Sequence, residues 1–205
     1  MSRHQCSTTL PWFRKKLSLP TAGLVIALLA SGQMNMVAGT VDWGVAESGS
    51  PGVYSWQHLY NWNEPGLHQT PLLVPKVTGD IANLNLVNLT GNQVINLDGA
   101  VTLGGLNVGD TSGNQSYTLA AGSGGALTLN NGGLGATINK SGLGYDFITA
   151  NVALAENATI TVNDGALGIT GVISGTGFGL TKEGNGMLIL RGSNTYTGAT
   201  VLNGG

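Results

Sequence analysis

The sequence predicts an all-β protein, built as a right-handed parallel β-helix in which short strands stack into a solenoid. Three observations support this fold: 34 of the 205 residues are glycine, short apolar stretches alternate with polar residues, and one strand motif returns along the chain. The glycines follow no three-residue period, which excludes collagen. A hydrophobic share of 41% with only 9% charged residues excludes a disordered tail.

The N-terminal segment, residues 1–38, has the three parts of a secretory signal peptide. Residues 14–16 are Arg-Lys-Lys, residues 22–30 form a short apolar run, and small residues surround Ala38. We expect a signal helix and cleavage after Ala38, with an uncleaved N-terminal anchor as the alternative. No apolar run reaches the ~20 residues of a membrane-spanning helix, so the mature chain should have no membrane-spanning segment.

Cleavage would change both the charge and the chemistry of the chain. The residues after position 38 carry four basic and ten acidic side chains, a net charge of −6, and no cysteine, because the single cysteine is Cys6. This excludes a domain held together by disulfides, cysteine-ligated metals and cysteine nucleophiles. The basic patch that nucleic-acid binding requires is also missing, so nucleic acid is excluded as a partner.

Residues 39–75 differ in composition from everything that follows. They contain Trp43, Trp56 and Trp62, four of the six prolines, and both histidines of the mature chain. An open β-helix end exposes core and unpaired backbone. We therefore expect these residues to form an irregular cap over the first rung, and residues 76–205 to form the repeat region.

Short stretches with apolar residues at every second position recur after residue 76, each bounded by Gly, Asn or Asp. Such alternation between turn-forming residues is typical of β-strands. The clearest stretches are residues 84–87, 94–97, 117–119, 158–162 and 188–190. No segment after residue 40 has a convincing helical period, so the mature protein should be nearly all β.

A five-residue motif returns in this region: Gly, a small or flexible residue, apolar, any, apolar. Its copies start at Gly99, Gly125, Gly165 and Gly186, so that the first and last intervals are single units and the middle one is close to two. A repeat of about 20 to 26 residues, made of short strands and tight turns, is what one rung of a parallel β-helix needs. An antiparallel sandwich or barrel remains the alternative, since Asn-Gly and Asp-Gly also form hairpin turns.

Residues 173–201 combine a Gly-Leu-Thr-Lys turn at 179–182, a Gly-x-Gly corner at 184–186 and an alternating strand. The sequence Gly-x-Asn-Thr-Tyr-Thr-Gly-x-Thr follows at 192–200. In this order the segment closely resembles the autotransporter-associated β-strand repeat. Two residues depart from that pattern, because the family usually has Thr at the position of Met187 and Ser at that of Arg191.

The resemblance implies a passenger-type β-helix that is exported across the outer membrane of a bacterium and is secreted or displayed on the cell surface. It implies a structural or adhesive role toward a host or environmental glycan or protein surface. It brings no enzymatic activity, catalytic residue or cofactor with it. Because the sequence stops within a repeat at Gly205, we expect a fragment of a longer protein or another export route.

Two groups of residues could bind a metal ion, and each also fits an ordinary structural role. Residues 141–148 are close to the calcium-binding nonapeptide, with Ser141 replacing its first glycine, but no second copy follows. A plain corner between strands is the expectation there. Four side chains could be imagined as a zinc or acid/base cluster: Glu47, His58, Glu64 and His68. They lack the spacing of a helical metal site, so we expect exposed loop residues.

The alternative function is a carbohydrate-active β-helix enzyme, a polysaccharide lyase or glycoside hydrolase. Such enzymes need converging carboxylates, or a carboxylate and a base. Most acidic residues of the repeat region fall in turns, where Asp is favoured for backbone reasons. These residues are Asp80, Asp98, Asp110, Asp146, Glu156, Asp164 and Glu183. We therefore predict a non-enzymatic protein without catalytic, cofactor-binding or metal-binding residues.

Overall fold

The computed structural model describes residues 27–28, 34–35, 38–44, 51–63, 74–113 and 115–205. Most of the predicted signal peptide, residues 1–38, therefore lies outside the described residues. Two short strands are described there, β1 (Ala27–Leu28) and β2 (Met34–Asn35), and they pair antiparallel. The signal helix expected over residues 22–30 is not confirmed.

From Thr40 onward the described chain winds into a parallel β-solenoid of three sheets, which confirms the predicted all-β fold. The first sheet contains β3 (Thr40–Trp43), β5 (Trp62–Asn63), β6 (Ile81–Leu84), β9 (Gly105–Val108), β12 (Ala136–Lys140), β15 (Ala158–Val162), β18 (Leu180–Glu183) and β20 (Thr200–Leu202). The second contains β4 (Gly52–Ser55), β7 (Gln93–Asn96), β10 (Tyr117–Ala120), β13 (Tyr145–Ile148), β16 (Ala166–Ile169) and β19 (Met187–Leu190). The third contains β8 (Ala100–Leu103), β11 (Ala126–Leu129), β14 (Val152–Leu154) and β17 (Ile173–Ser174).

Helix is limited, in the described ranges, to one 3₁₀ turn at Leu59–Asn61. No helix in this part of the chain is long and apolar enough to cross a membrane.

The chain visits the three sheets in turn, so each strand pairs with the strand one rung away. Along the first sheet the register passes through Ile81, Gly105, Thr137, Thr159, Thr181 and Val201. The interval from Gly105 to Thr137 is longer than the predicted rung of about 20 to 26 residues, and the other intervals agree with that prediction. Because these pairings are parallel, the antiparallel sandwich or barrel is wrong.

The predicted strands agree with the observed ones except at residues 84–87. There β6 ends at Leu84, and Leu86 in the following corner is exposed. Val87 still packs against the core, but from the corner and not from a strand. The alternating pattern continues past the end of β6 into the corner, and for this reason the sequence alone predicted a strand there.

Alternation along each strand sends every second side chain into one continuous apolar core. In the third sheet Val101, Leu127, Val152 and Ile173 are aligned by the register and are all buried. Burying a side chain of this size contributes about 1.5–3 kcal/mol. Because such a column forms only between neighbours, the stability of each rung depends on the rungs beside it.

The described part of residues 39–75 belongs largely to the solenoid. Strand β3 pairs parallel with β6 and β4 pairs parallel with β7, while β5 pairs antiparallel with β3 and covers its outer edge. The prediction of an irregular cap is thus not confirmed. Three fully buried tryptophans, Trp43, Trp56 and Trp62, fill this end of the core.

Glycines at the corners allow a test of how tightly the rungs stack. Gly165 has a φ of +62°, and a Cβ there would lie 2.4 Å from the carbonyl oxygen of Gly144. Gly133 has a φ of +88° with open space around it. Both Gly→Ala changes introduce a left-handed residue, which costs about 1–2 kcal/mol. We expect Gly165→Ala to lower the free energy of unfolding by a further ~2 kcal/mol, because of the overlap. Equal losses in urea unfolding would contradict close stacking at this corner.

Candidate functional site

The carboxylate of Asp110 holds a corner together instead of facing solvent. It is buried, and its Oδ1 accepts the N–H of Leu89 at 2.8 Å, from the preceding rung. Its Oδ2 accepts the N–H of Gln115 at 3.2 Å and the hydroxyl of Ser112. Backbone donors in a corner have no strand partner, so the carboxylate supplies the missing acceptor.

Asp80 and Glu156 have the same role at other corners, and both are buried. The N–H donors to Asp80 are those of Gly39, Lys76 and Val77, at 2.9 to 3.0 Å. The N–H donors to Glu156 are those of Asn131 and of Gly135, the latter at 2.9 Å. The expectation that these acids serve the turns agrees with these contacts.

A buried ion pair lies at the corner between β12 and β13. Lys140 Nζ is 3.3 Å from Asp146 Oδ2, and both side chains are shielded from solvent. Lys140 Nζ also donates to the carbonyl oxygens of Ser141 and Gly142, both at 2.6 Å. Asp146 Oδ1 accepts the N–H of Tyr117 at 2.6 Å. The ammonium therefore has three polar partners inside the solenoid and the carboxylate has two.

Burial raises the pKa of Asp146, against the N–H of Tyr117 and the Lys140 ammonium, which lower it, while nearby Asp110 raises it further. Burial, with the charges of Asp146 and Asp110, also raises the pKa of Tyr117. A carboxyl whose pKa is raised by folding holds its proton more tightly when folded. Its contribution to stability is complete below its ordinary pKa and is lost as the pH rises through the raised pKa.

The pair belongs to an inward column of the second sheet. Gln93 and Tyr117 precede Asp146 in this column, and Leu167 and Leu188 follow it. Gln93 accepts the indole N–H of Trp43 at 3.0 Å. Because Gln93, Tyr117 and Asp146 are all buried, a substrate in solution cannot reach them. The arrangement can orient and align rungs, but it offers no accessible acid or base.

Residues 141–148, which are close to the calcium-binding nonapeptide in sequence, form a corner whose carbonyl oxygens bind the ammonium of Lys140. The carbonyl oxygens of Ser141 and Gly142, of the kind that calcium prefers, instead accept the Lys140 ammonium. Lys182 makes the same contacts, with Nζ at 2.7 Å from the carbonyl oxygens of both Glu183 and Gly184.

Both lysines begin a Lys-x-Gly-x-Gly sequence, at residues 140–144 and 182–186. The third residue of each is a glycine with positive φ, +77° at Gly142 and +76° at Gly184. Sequence reasoning had missed Lys140, although this shared spacing could have identified it.

Of the four side chains that could form a zinc or acid/base cluster, only His58 lies in the described part of the chain. That side chain is exposed and lies beside Tyr60, with ring centroids 5.6 Å apart. Glu47, Glu64 and His68 fall outside the described residues. Across the ranges that are described, no three His, Cys, Asp or Glu side chains are grouped so that they could hold a metal ion.

The outward face of the first sheet carries a ladder of amides. Asn83 Nδ2 donates to Asp42 Oδ1 at 2.7 Å, Asn107 Nδ2 to Asn83 Oδ1 at 2.7 Å, and Asn139 Nδ2 to Asn107 Oδ1 at 2.8 Å. These residues are opposite one another in the parallel register. The ladder therefore bonds four consecutive rungs along the outside of the solenoid.

The last rungs carry an open, largely apolar groove of about 240 Å³. Leu180, Leu188, Leu190 and Leu202 line it together with Lys182. The ammonium of Lys182 also donates to the carbonyl oxygen of Gly204 at 3.1 Å. Met187 also lines the groove, and no Asp or Glu side chain does, so it lacks the carboxyl pair that a glycan-cleaving site needs.

Comparison with known proteins gives one match, and it falls on these rungs. No curated protein and no solved structure matches the chain. Residues 180–205 match the profile of a family described as the passenger-associated-transport-repeat. Strands β18, β19 and β20 lie in this segment and continue the parallel solenoid. The match and the fold together confirm the predicted resemblance to an autotransporter passenger repeat protein.

Proposed function

We propose that this protein is an exported, passenger-type β-solenoid with a structural or adhesive role at a bacterial cell surface, and that it has no catalytic activity. The observation that carries the proposal is the passenger-repeat match at residues 180–205, inside a parallel solenoid. Passenger repeats of this kind build an extended surface from stacked rungs. The family thus supports export and display. A glycan or protein surface as the partner is part of the proposal.

The use of the acidic side chains supports a structural role. Asp80, Asp110, Asp146 and Glu156 are buried and accept backbone N–H groups. A glycan-cleaving enzyme needs two carboxyl groups about 5 to 9.5 Å apart across an accessible sugar. Carboxylates committed to buried corners are unsuited to that chemistry.

Export is tested by expressing the full chain in a bacterium with an outer membrane and sequencing the N-terminus of the extracytoplasmic product. We expect a chain that begins at Gly39, because the apolar run at residues 22–30 engages the export machinery. Val25→Arg places a charge in this run and should retain the uncleaved chain inside the cell. The control, Ser7→Arg, adds a charge before the run and should be processed normally.

Equal processing of the Val25→Arg chain would contradict the export signal. Intact cells that carry the processed chain should also lose it to added protease if it is displayed at the surface. Polysaccharide turnover that a single Asp→Asn change abolishes would overturn the non-enzymatic role.

A further inference from the structure

An apolar patch lies on the outside of the solenoid, on the second sheet. We call Leu143, Tyr145, Phe147, Met187 and Ile189 the outer patch. Leu143 is 70% exposed, Tyr145 52% and Met187 53%. Large apolar side chains are ordinary on a surface when scattered singly, but contiguous ones mark interaction sites.

The register makes the outer patch continuous. Tyr145, Ala166 and Met187 form one outward row, and Phe147, Gly168 and Ile189 form the next. Ala166 is buried beneath its larger neighbours. The ring of Phe147 lies over Gly168, where an added Cβ would be 2.8 Å from Phe147 Cδ1. The two small residues are thus covered, and apolar side chains extend across three rungs.

The earlier rungs of the same sheet continue the outer patch only in part. Val53 and Val94 lie in the same outward row as Phe147. The polar Thr118 on β10 separates them from Phe147. At the other end Met187 is one of the two places where the chain departs from the repeat pattern. The uninterrupted apolar surface is therefore limited to β13, β16 and β19.

Charges of opposite sign flank the outer patch. Asp164 lies in the corner before β16, and Arg191 directly follows β19; both are exposed. The outward positions between them carry no charge, since Asp146 points inward. If two copies faced each other across a twofold axis parallel to the solenoid axis, the strand starts of one copy would lie opposite the strand ends of the other. Asp164 of one copy and Arg191 of the other would then lie on the same side of the contact, one rung or about 4.8 Å apart along the axis. The long arginine side chain can span that offset, so the surface is complementary to itself.

We propose that two copies of this chain pack their outer patches face to face, with antiparallel strands and Asp164 paired with Arg191 across the interface. An interface of this symmetry uses the same surface on both copies. Three rungs about 4.8 Å apart make a small contact, so the dimer is weak and reversible. The contact does not depend on export or on adhesion.

Sedimentation velocity of the full chain from about 10 μM to 1 mM tests the dimer. We expect reversible, concentration-dependent dimerisation. Tyr145→Asp or Leu143→Asp should raise the dissociation constant at least about tenfold, because each buries a charge in the contact. Leu134→Asp is the matched control: Leu134 is 85% exposed, lies away from the outer patch, and its change should have no effect.

Variants of the charge pair and of the open groove distinguish the proposed interface from other contacts between copies. Asp164→Arg alone and Arg191→Asp alone should each weaken the dimer, and the two together should restore it. The groove shares Met187 with the outer patch, but Leu202 lies on β20 of the first sheet, so Leu202→Asp should leave the dimer unchanged. A chain that stays monomeric at every concentration would overturn the proposal. So would dissociation by Leu202→Asp but not by Tyr145→Asp, or a double charge exchange that fails to restore association.

Discussion

Lys140→Met is expected to lower the free energy of unfolding by about 3–5 kcal/mol at neutral pH, measured by denaturant unfolding. The change leaves the buried Asp146 carboxylate without its ammonium, which lies 3.3 Å away in the native protein. It also leaves two corner carbonyl oxygens without a donor. The loss should be smaller in acid, where Asp146 binds a proton and carries no charge to compensate.

The double change Lys140→Met/Asp146→Leu separates the cost of an unpaired charge from the worth of the pair. Leucine occupies the next two positions of the Asp146 column, Leu167 and Leu188. We expect the double variant to recover most of the loss, since a buried ion pair is often no better than apolar residues of similar volume. The control is Lys76→Met at an exposed lysine, which should change stability by less than about 0.5 kcal/mol. If Lys76→Met lowered the free energy of unfolding as much as Lys140→Met does, the ion pair would not be the cause of the loss.

Trp62→Ala is also expected to have a large effect and to lower the free energy of unfolding by about 3–5 kcal/mol. The indole ring is fully buried, and its centroid is 4.9 Å from that of Trp43 and 4.6 Å from that of Trp56. Its N–H donates to the carbonyl oxygen of Trp56 at 2.8 Å. Removing it opens a cavity at the end of the core, between Trp43 and Trp56. Tryptophan fluorescence during denaturant unfolding reports this end of the solenoid directly.

Tyr60→Ala is the matched control for this prediction. Tyr60 is an aromatic residue of the same segment but is 75% exposed. Its loss should change the free energy of unfolding by less than about 0.5 kcal/mol. If Trp62→Ala and Tyr60→Ala had equally small effects, the tryptophan cluster would not be part of the cooperative core.

Much of the fold could be predicted because its rules are local. Alternating residues at 158–162 coincide with β15, since inward and outward positions alternate along any strand. Glycines at corners permit positive φ, as at Gly165, whose φ is +62°. The spacing of these signals revealed the rung, and the motif after residue 173 revealed the kind of repeat.

The pairings of the first described rung were beyond local reasoning. Thr40 pairs with Ile81 and Gly52 with Gln93, and both intervals are nearly twice the length of most later rungs. No periodicity survives over that distance. The prolines and tryptophans between them therefore suggested an irregular cap, although β3 and β4 lie in the sheets.

The sequence by itself determined strands, corners, rung length and the likeness to a passenger repeat, because each depends on residues close together in the chain. The tertiary structure decided which side chains meet across rungs. It joined Lys140 to Asp146 inside the solenoid, tied Asp110 to Leu89, and placed Tyr145 beside Met187 on the outside. Such contacts follow from the register between strands that are distant in the chain, and only stacking sets that register.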